Sequence, residues 1–160
     1  MVRVLFVCMG NICRSPTAQG VFTELLQREG LTGQVHVDSA GTHAYHTGSA
    51  PDSRAQAAAL RRGIDLKSQR ARQISDDDFE RFDYILAMDR ENLALLRERC
   101  PEHFADKLGL LLEYAPHLGI EEVPDPYYGG SAGFERVLDM VLEASGGLLR
   151  EIRARHPAVR

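Results

Sequence analysis

Val2-Arg3-Val4-Leu5-Phe6-Val7-Cys8-Met9-Gly10-Asn11-Ile12-Cys13-Arg14-Ser15-Pro16 decides how the rest of this chain is read. Its apolar, β-branched first half predicts a strand buried on both faces. Ser15-Pro16 predicts a helix start, with the serine at or near the cap and the proline in the first turn. Between them lies Cys8-x5-Arg14-Ser15. A short loop that enters a helix N-terminus gathers unpaired backbone N–H groups, and the helix dipole adds positive charge, so the loop is an expected anion site. The same field favours the thiolate form of a cysteine placed in it.

Moving outward, Ala18, Val21, Phe22, Leu25 and Leu26 recur at helical spacing, and Gly30 is the expected stop. Val35 to Ala40 reads as a second strand, which with the first makes a right-handed β-α-β unit and hence a parallel sheet. Residues 41–51, rich in Gly, Ser, Thr and His, read as an exposed loop carrying one aromatic, Tyr45. An alanine-rich helix over Pro51 to Arg62 closes at Gly63. Ser75-Asp76-Asp77-Asp78 opens a short helix, and Tyr84 to Met88 is a third buried strand. Asp89 caps the next helix, with Leu93, Leu95 and Leu96 facing inward, and Leu108 to Leu112 supplies a fourth strand. A last long helix is lined by Phe134, Val137, Leu138, Val141, Leu142, Leu148, Leu149 and Ile152. The expected architecture is α/β: a single doubly wound domain over 1–160, a four-stranded parallel sheet with helices on both faces. Ligands bind such sheets beyond the carboxyl ends of the strands, and Cys8 stands at one.

Composition limits the function classes. The chain is 44% hydrophobic and 26% charged, ordinary for a soluble globular domain, and no apolar run is long enough to span a membrane. The N-terminal apolar run is too short and too strand-like for a secretory signal, so a cytoplasmic location is expected and no membrane partner. A formal net charge of −4 argues against nucleic acid. Three cysteines, none in a Cys-x2-Cys pair, and six scattered histidines indicate neither a disulfide framework nor a metal site, and no cofactor is expected.

The loop suits phosphoryl transfer, in which charge spread over three equatorial oxygens must meet fixed donors. Backbone amides from Met9 through Gly10, Asn11, Ile12 and Cys13 to Arg14 converge on an anion; Gly10 allows the chain to fold back, and Asn11 tolerates a left-handed conformation. Arg14 engages two phosphate oxygens through its planar fork and adds charge that a metal supplies elsewhere. Cys8 is the candidate nucleophile, with Ser15 a hydrogen-bond donor to its sulfur as the thiolate leaves. Asp125, set between Pro124 and Pro126, is the candidate proton donor to the leaving oxygen. There is no Gly-x4-Gly-Lys-Ser/Thr, which excludes a nucleotide-type P-loop.

Val7 to Ala18, Asp38-Ser39-Ala40-Gly41-Thr42, Asp83 to Asp89 and Asp125-Pro126-Tyr127-Tyr128 together resemble the low-molecular-weight protein tyrosine phosphatases, over nearly the whole chain. The resemblance implies a metal-free, two-step reaction: Cys8 attacks phosphorus, Asp125 protonates the leaving phenol, and water activated by Asp125 then hydrolyses the phosphocysteine. It implies phosphotyrosine-containing proteins or small aryl phosphates as substrates, with the substrate of a bacterial tyrosine kinase as one such partner. By position Asn11 and Ser39 match the polar network holding the loop, Cys13 the second loop cysteine and Asp89 a residue near the pocket. Tyr45 and Tyr127 match the aromatic walls. Where many members carry a histidine before a basic-Ala-Arg-Gln run, this chain has Gln69-Arg70-Ala71-Arg72-Gln73. An amide at Gln69 then stands in for the imidazole that supports Asn11.

Two readings of Cys13 stand side by side: a reversible disulfide with Cys8, or packing beneath the loop. Cys100, before Pro101, reads as structural. The scaffold is shared with arsenate reductases, whose relay needs further cysteines on a mobile segment; this chain has none between Cys13 and Cys100. Resembling phosphoarginine phosphatases carry threonine at the position of Ile12, and Ile12 with an aromatic at 45 suits a flat phenyl ring better.

Overall fold

The computed structural model describes residues 1–160. Strand β1, Val2–Cys8, is central. Each residue from Val4 to Val7 is fully buried, as a strand covered on both faces requires. Because side chains alternate along a strand, β1 serves two cores. Val4 and Phe6 enter the larger one with Phe22 of helix α1 (Arg14–Arg28) and Val141 and Leu148 of helix α5 (Ser131–Arg155). Phe6 and Phe22 meet edge to face at 5.9 Å, and truncating either to Ala costs about 3–5 kcal/mol. Helix α2 (Ser53–Leu60) joins this side through Ala55, Ala58 and Ala59. Leu5 and Val7 enter the smaller core, with Phe79 of α3 (Asp76–Arg81) and Leu93 and Leu96 of α4 (Arg90–Arg99).

Strands β2 (Val35–Gly41), β3 (Tyr84–Ala87) and β4 (Leu108–Leu110) complete a parallel sheet of order β2-β1-β3-β4. The chain leaves β1 toward β2 and later returns to β1's other edge. That reversal opens a crevice beyond the carboxyl end of β1, where Cys8 pairs with Gly41.

Several expected boundaries shift for identifiable reasons. Ser15 lies near the cap of α1 rather than at it: the helix begins at Arg14 with Cys13 in the cap position, and the Ser15 hydroxyl is occupied by the loop. The fourth strand stops at Leu110 rather than Leu112, because Leu111–Tyr114 turns into a 3-10 helix that buries Leu111 and Leu112 against the larger core. Met88 lies past the end of β3, where Asp89 accepts from the Asn92 N–H and caps α4. Leu95 is only half-buried and Leu142 is 37% exposed; each sits at the edge of its helix's apolar stripe. No helix is long and apolar enough to cross a membrane.

Candidate active site

Between β1 and α1 the loop Met9–Cys13 turns through Asn11, whose φ of +58° is the left-handed region. Such a conformation costs a non-glycine residue about 1–3 kcal/mol. The Asn11 side chain, 2% exposed, offsets that cost with three hydrogen bonds. Its Oδ1 accepts from the Arg72 N–H at 3.0 Å, and its Nδ2 donates to Ser15 Oγ at 2.8 Å and Ser39 Oγ at 2.9 Å. Because Ser15 Oγ accepts from Asn11, its own proton is free for Cys8 Sγ, 3.0 Å away. Ser39 in turn donates to Gln19 Oε1 at 2.6 Å. The buried hydroxyl beside the sulfur is thus oriented by a chain of polar groups ending in α1.

No backbone N–H from Met9 through Ser15 donates to an acceptor within the protein. These free donors edge a cavity of about 250 Å³ lined by Cys8, Met9, Gly10, Ile12, Cys13 and Arg14 at its base, with Tyr45, His46, Asp125, Tyr127 and Tyr128 around the mouth. Arg14 is buried; its Nη1 donates to Asp89 Oδ2 at 2.6 Å and to the Val123 carbonyl at 3.0 Å. Nη2 makes no hydrogen bond and lies 3.8 Å from Asp125 Oδ2. Burial opposes the Arg14 charge, yet Cys8, Asp89 and Asp125 together more than offset it, so its pKa is raised and it stays a cation.

Cys13 differs from Cys8. Burial first, then the charges of Asp52, Cys8 and Asp125, push its thiol far above the ordinary range. Both cysteines are free. Asp125 stands on the loop after Val123, and its Oδ1 accepts from the Tyr127 N–H at 3.0 Å, a local turn that fixes the carboxyl relative to the aromatic. Tyr45, 73% exposed, stacks on His43 at 5.0 Å with planes 9° apart. The backbone under it is docked to the loop, with Thr42 N–H on the Cys8 carbonyl and His43 N–H on that of Met9.

Gln69 does not support Asn11 directly. Its Nε2 donates to the Pro16 carbonyl at 3.0 Å, bracing the first turn of α1, while the Arg72 N–H takes the place at Asn11 Oδ1. Gln19, Arg72, His46 and Tyr128 also belong to the site or its frame. Gln19 had a readable signal, since it lies one helical turn beyond Ser15. No group of three or more His, Cys, Asp or Glu side chains is arranged to hold a metal ion.

A thiol at the end of a parallel strand, amid free amides and a fixed arginine, makes a site suited to a tetrahedral anion. Residues 3–158 match the protein-family model described as "Low molecular weight phosphotyrosine protein phosphatase". The low molecular weight protein-tyrosine-phosphatase of Streptomyces coelicolor is 46% identical over 94% of this chain and 93% of its own. YfkJ of Bacillus subtilis, of the same description, is 40% identical over 96% and 97%. A protein tyrosine phosphatase from Entamoeba histolytica, solved with Hepes in its active site, superposes with a TM-score of 0.94 at 40% identity, covering 97% of this chain and 99% of that one. The chain belongs to the low molecular weight phosphotyrosine protein phosphatase family and is an enzyme, a protein phosphatase.

Proposed function

We propose that the chain, acting as one domain in the cytoplasm, hydrolyses phosphotyrosine and other aryl phosphate esters through a phosphocysteine and without a metal. In the first step Cys8 Sγ bonds to phosphorus, the P–O bond to the phenol breaks, and Asp125 gives its proton to the departing oxygen. In the second, water attacks phosphorus as Asp125 takes its proton; the P–S bond breaks and the thiolate leaves toward the Ser15 O–H. Inorganic phosphate is the product. The amides of Met9 to Arg14 and the Arg14 fork meet the equatorial charge through both steps.

The observation that carries this reading is the pairing of Cys8 with a cluster of donors: free N–H groups, a buried cation and the Ser15 hydroxyl at 3.0 Å. Ile12 in the cavity lining, with Tyr45 and Tyr127 at the opening, favours a flat phenyl ring, which points to phosphotyrosine on proteins, including those modified by a bacterial tyrosine kinase.

The test is hydrolysis of aryl phosphates in EDTA by the wild type, Cys8→Ser and Asp125→Ala. Cys8→Ser abolishes turnover, and Asp125→Ala lowers it by about 10²–10⁴-fold, most for poor leaving groups. Activity that EDTA removes, or that Cys8→Ser retains, contradicts the mechanism.

A further inference from the structure

The segment Pro124–Gly130 carries Asp125 and Tyr127, yet it makes no hydrogen bond beyond itself and the start of α5. Arg14 holds the residue before it, Val123, and stands 3.8 Å from Asp125. What holds Tyr127 from outside the segment is Arg54, at the start of α2. Its guanidinium lies over the Tyr127 ring at 5.2 Å and over the Phe134 ring, in the first turn of α5, at 4.9 Å. Arg54 does not line the cavity.

The arginine is itself fixed. Its Nε and Nη2 donate to the two oxygens of Asp52 at 3.1 and 2.9 Å, and the same carboxylate accepts the Arg54 N–H as the cap of α2. The Asp52 N–H donates to the Ile12 carbonyl at 2.8 Å. A continuous link therefore runs from the Cys8 loop, through Asp52 and Arg54, to the aromatic on the far side of the opening. A planar guanidinium held along its Nε–Nη2 edge by both oxygens of one carboxylate has less freedom to lose when it stacks on a ring.

We infer that Arg54 is a positioning residue that sets Tyr127 for an aryl substrate, so that the width of the opening, and with it the preference for a flat ring, is fixed from outside the cavity. The inference rests on the proposed role of Tyr127 as a substrate wall. It predicts that Arg54 governs binding of the aryl group and leaves binding of the phosphoryl group to the loop.

The experiment measures kcat, KM for p-nitrophenyl phosphate and the inhibition constant of inorganic phosphate for the wild type, Arg54→Ala, Arg54→Lys, Tyr127→Ala and the Arg54→Ala/Tyr127→Ala double variant. Arg54→Ala raises KM about three- to fivefold, the scale of one or two exposed cation–π contacts, and changes kcat less. The phosphate inhibition constant stays at the wild-type value, which also reports an intact loop. Arg54→Lys recovers part of the loss, and Arg54→Ala adds nothing once Tyr127 is gone. If Tyr127→Ala leaves KM unchanged, the wall reading fails and this inference with it. If Tyr127→Ala raises KM but Arg54→Ala adds its full effect in that background, or if Arg54→Ala weakens inorganic phosphate equally, Arg54 acts elsewhere and the inference alone is overturned.

Discussion

At the scale of single residues, the two loop cysteines are separated by their surroundings. Cys13 is pushed toward the neutral thiol by burial and by three negative neighbours, whereas Cys8 faces the Ser15 hydroxyl and the free amides. Iodoacetate, at a pH of about 6, is expected to modify Cys8 alone, with phosphate protecting it; mass spectrometry of the peptide 4–14 region checks this, and label on Cys13 at a comparable rate contradicts it. Ser15 permits a sharper test. Its hydroxyl is aimed at the sulfur by Asn11, so Ser15→Ala removes a hydrogen bond to a charged leaving group, worth about 1.5–3 kcal/mol. Under the proposed mechanism, breakdown of the phosphocysteine slows about ten- to a hundredfold. Rapid mixing then shows a burst of phenol before a slow steady state; a uniformly slow reaction with no burst removes Ser15 from the second step.

The elements put these residues in register, and the tightest point is where β2 meets the loop. A Cβ at Gly41 would stand 2.7 Å from the Met9 carbonyl oxygen and 3.0 Å from that of His43, both backbone atoms that cannot swing aside. On its other side Gly41 exchanges 2.8 Å hydrogen bonds with the 72–74 segment. Gly41→Ala therefore forces two backbones apart, at a cost of about 1–3 kcal/mol. Thermal denaturation with and without phosphate is expected to show a less stable protein that phosphate protects less; unchanged melting in both conditions argues against it. This junction also marks how far the sequence can be read. β1 and β3 are legible as apolar runs and β2 as Val35 and Val37 alternating with polar neighbours, and Asn11, Ser15 and Ser39 as polar residues at or near the strand ends. β4 is three residues at a sheet edge, too short for any period to register. The partner of Gln69 was illegible for a different reason. Where its amide ends depends on the course of residues 64–75, which have neither a helical nor a strand repeat, and the chain there brings the Arg72 backbone to Asn11 and leaves Gln69 over Pro16.

Across the whole molecule, one arginine couples global stability to the site. The Arg72 guanidinium bonds Asp38 of β2 at 3.0 Å and Asp78 of α3 at 2.9 Å, while its backbone N–H holds Asn11 and its carbonyl holds Gly41. Burial works against the Asp78 charge, but Arg72 and the Ser75 N–H more than offset it, so the carboxyl lies below its ordinary value. A carboxyl held down in the folded state lends stability that is full above its unfolded pKa of about 3.9 and drains away as pH falls through the lower folded value. Asp78→Asn should cost about 1–3 kcal/mol near neutrality. The gap in melting temperature between wild type and variant should narrow as pH drops below about 4, where the wild type loses the same contribution. Catalysis carries its own pH demand. The proposed first step begins with a proton on Asp125 to give and a thiolate at Cys8 to attack, so an acidic optimum and a falling rate above neutrality are the expected outcome. Since the Asp78 contribution drains away only below about pH 4, loss of this carboxylate does not shape kcat/KM above that pH. Melting curves and kcat/KM recorded on the same samples from pH 3 to 8 decide this. Parallel melting profiles for wild type and Asp78→Asn down to pH 3 would remove the carboxylate from the acid response, and a rate still climbing past neutrality would remove Asp125 from the first step.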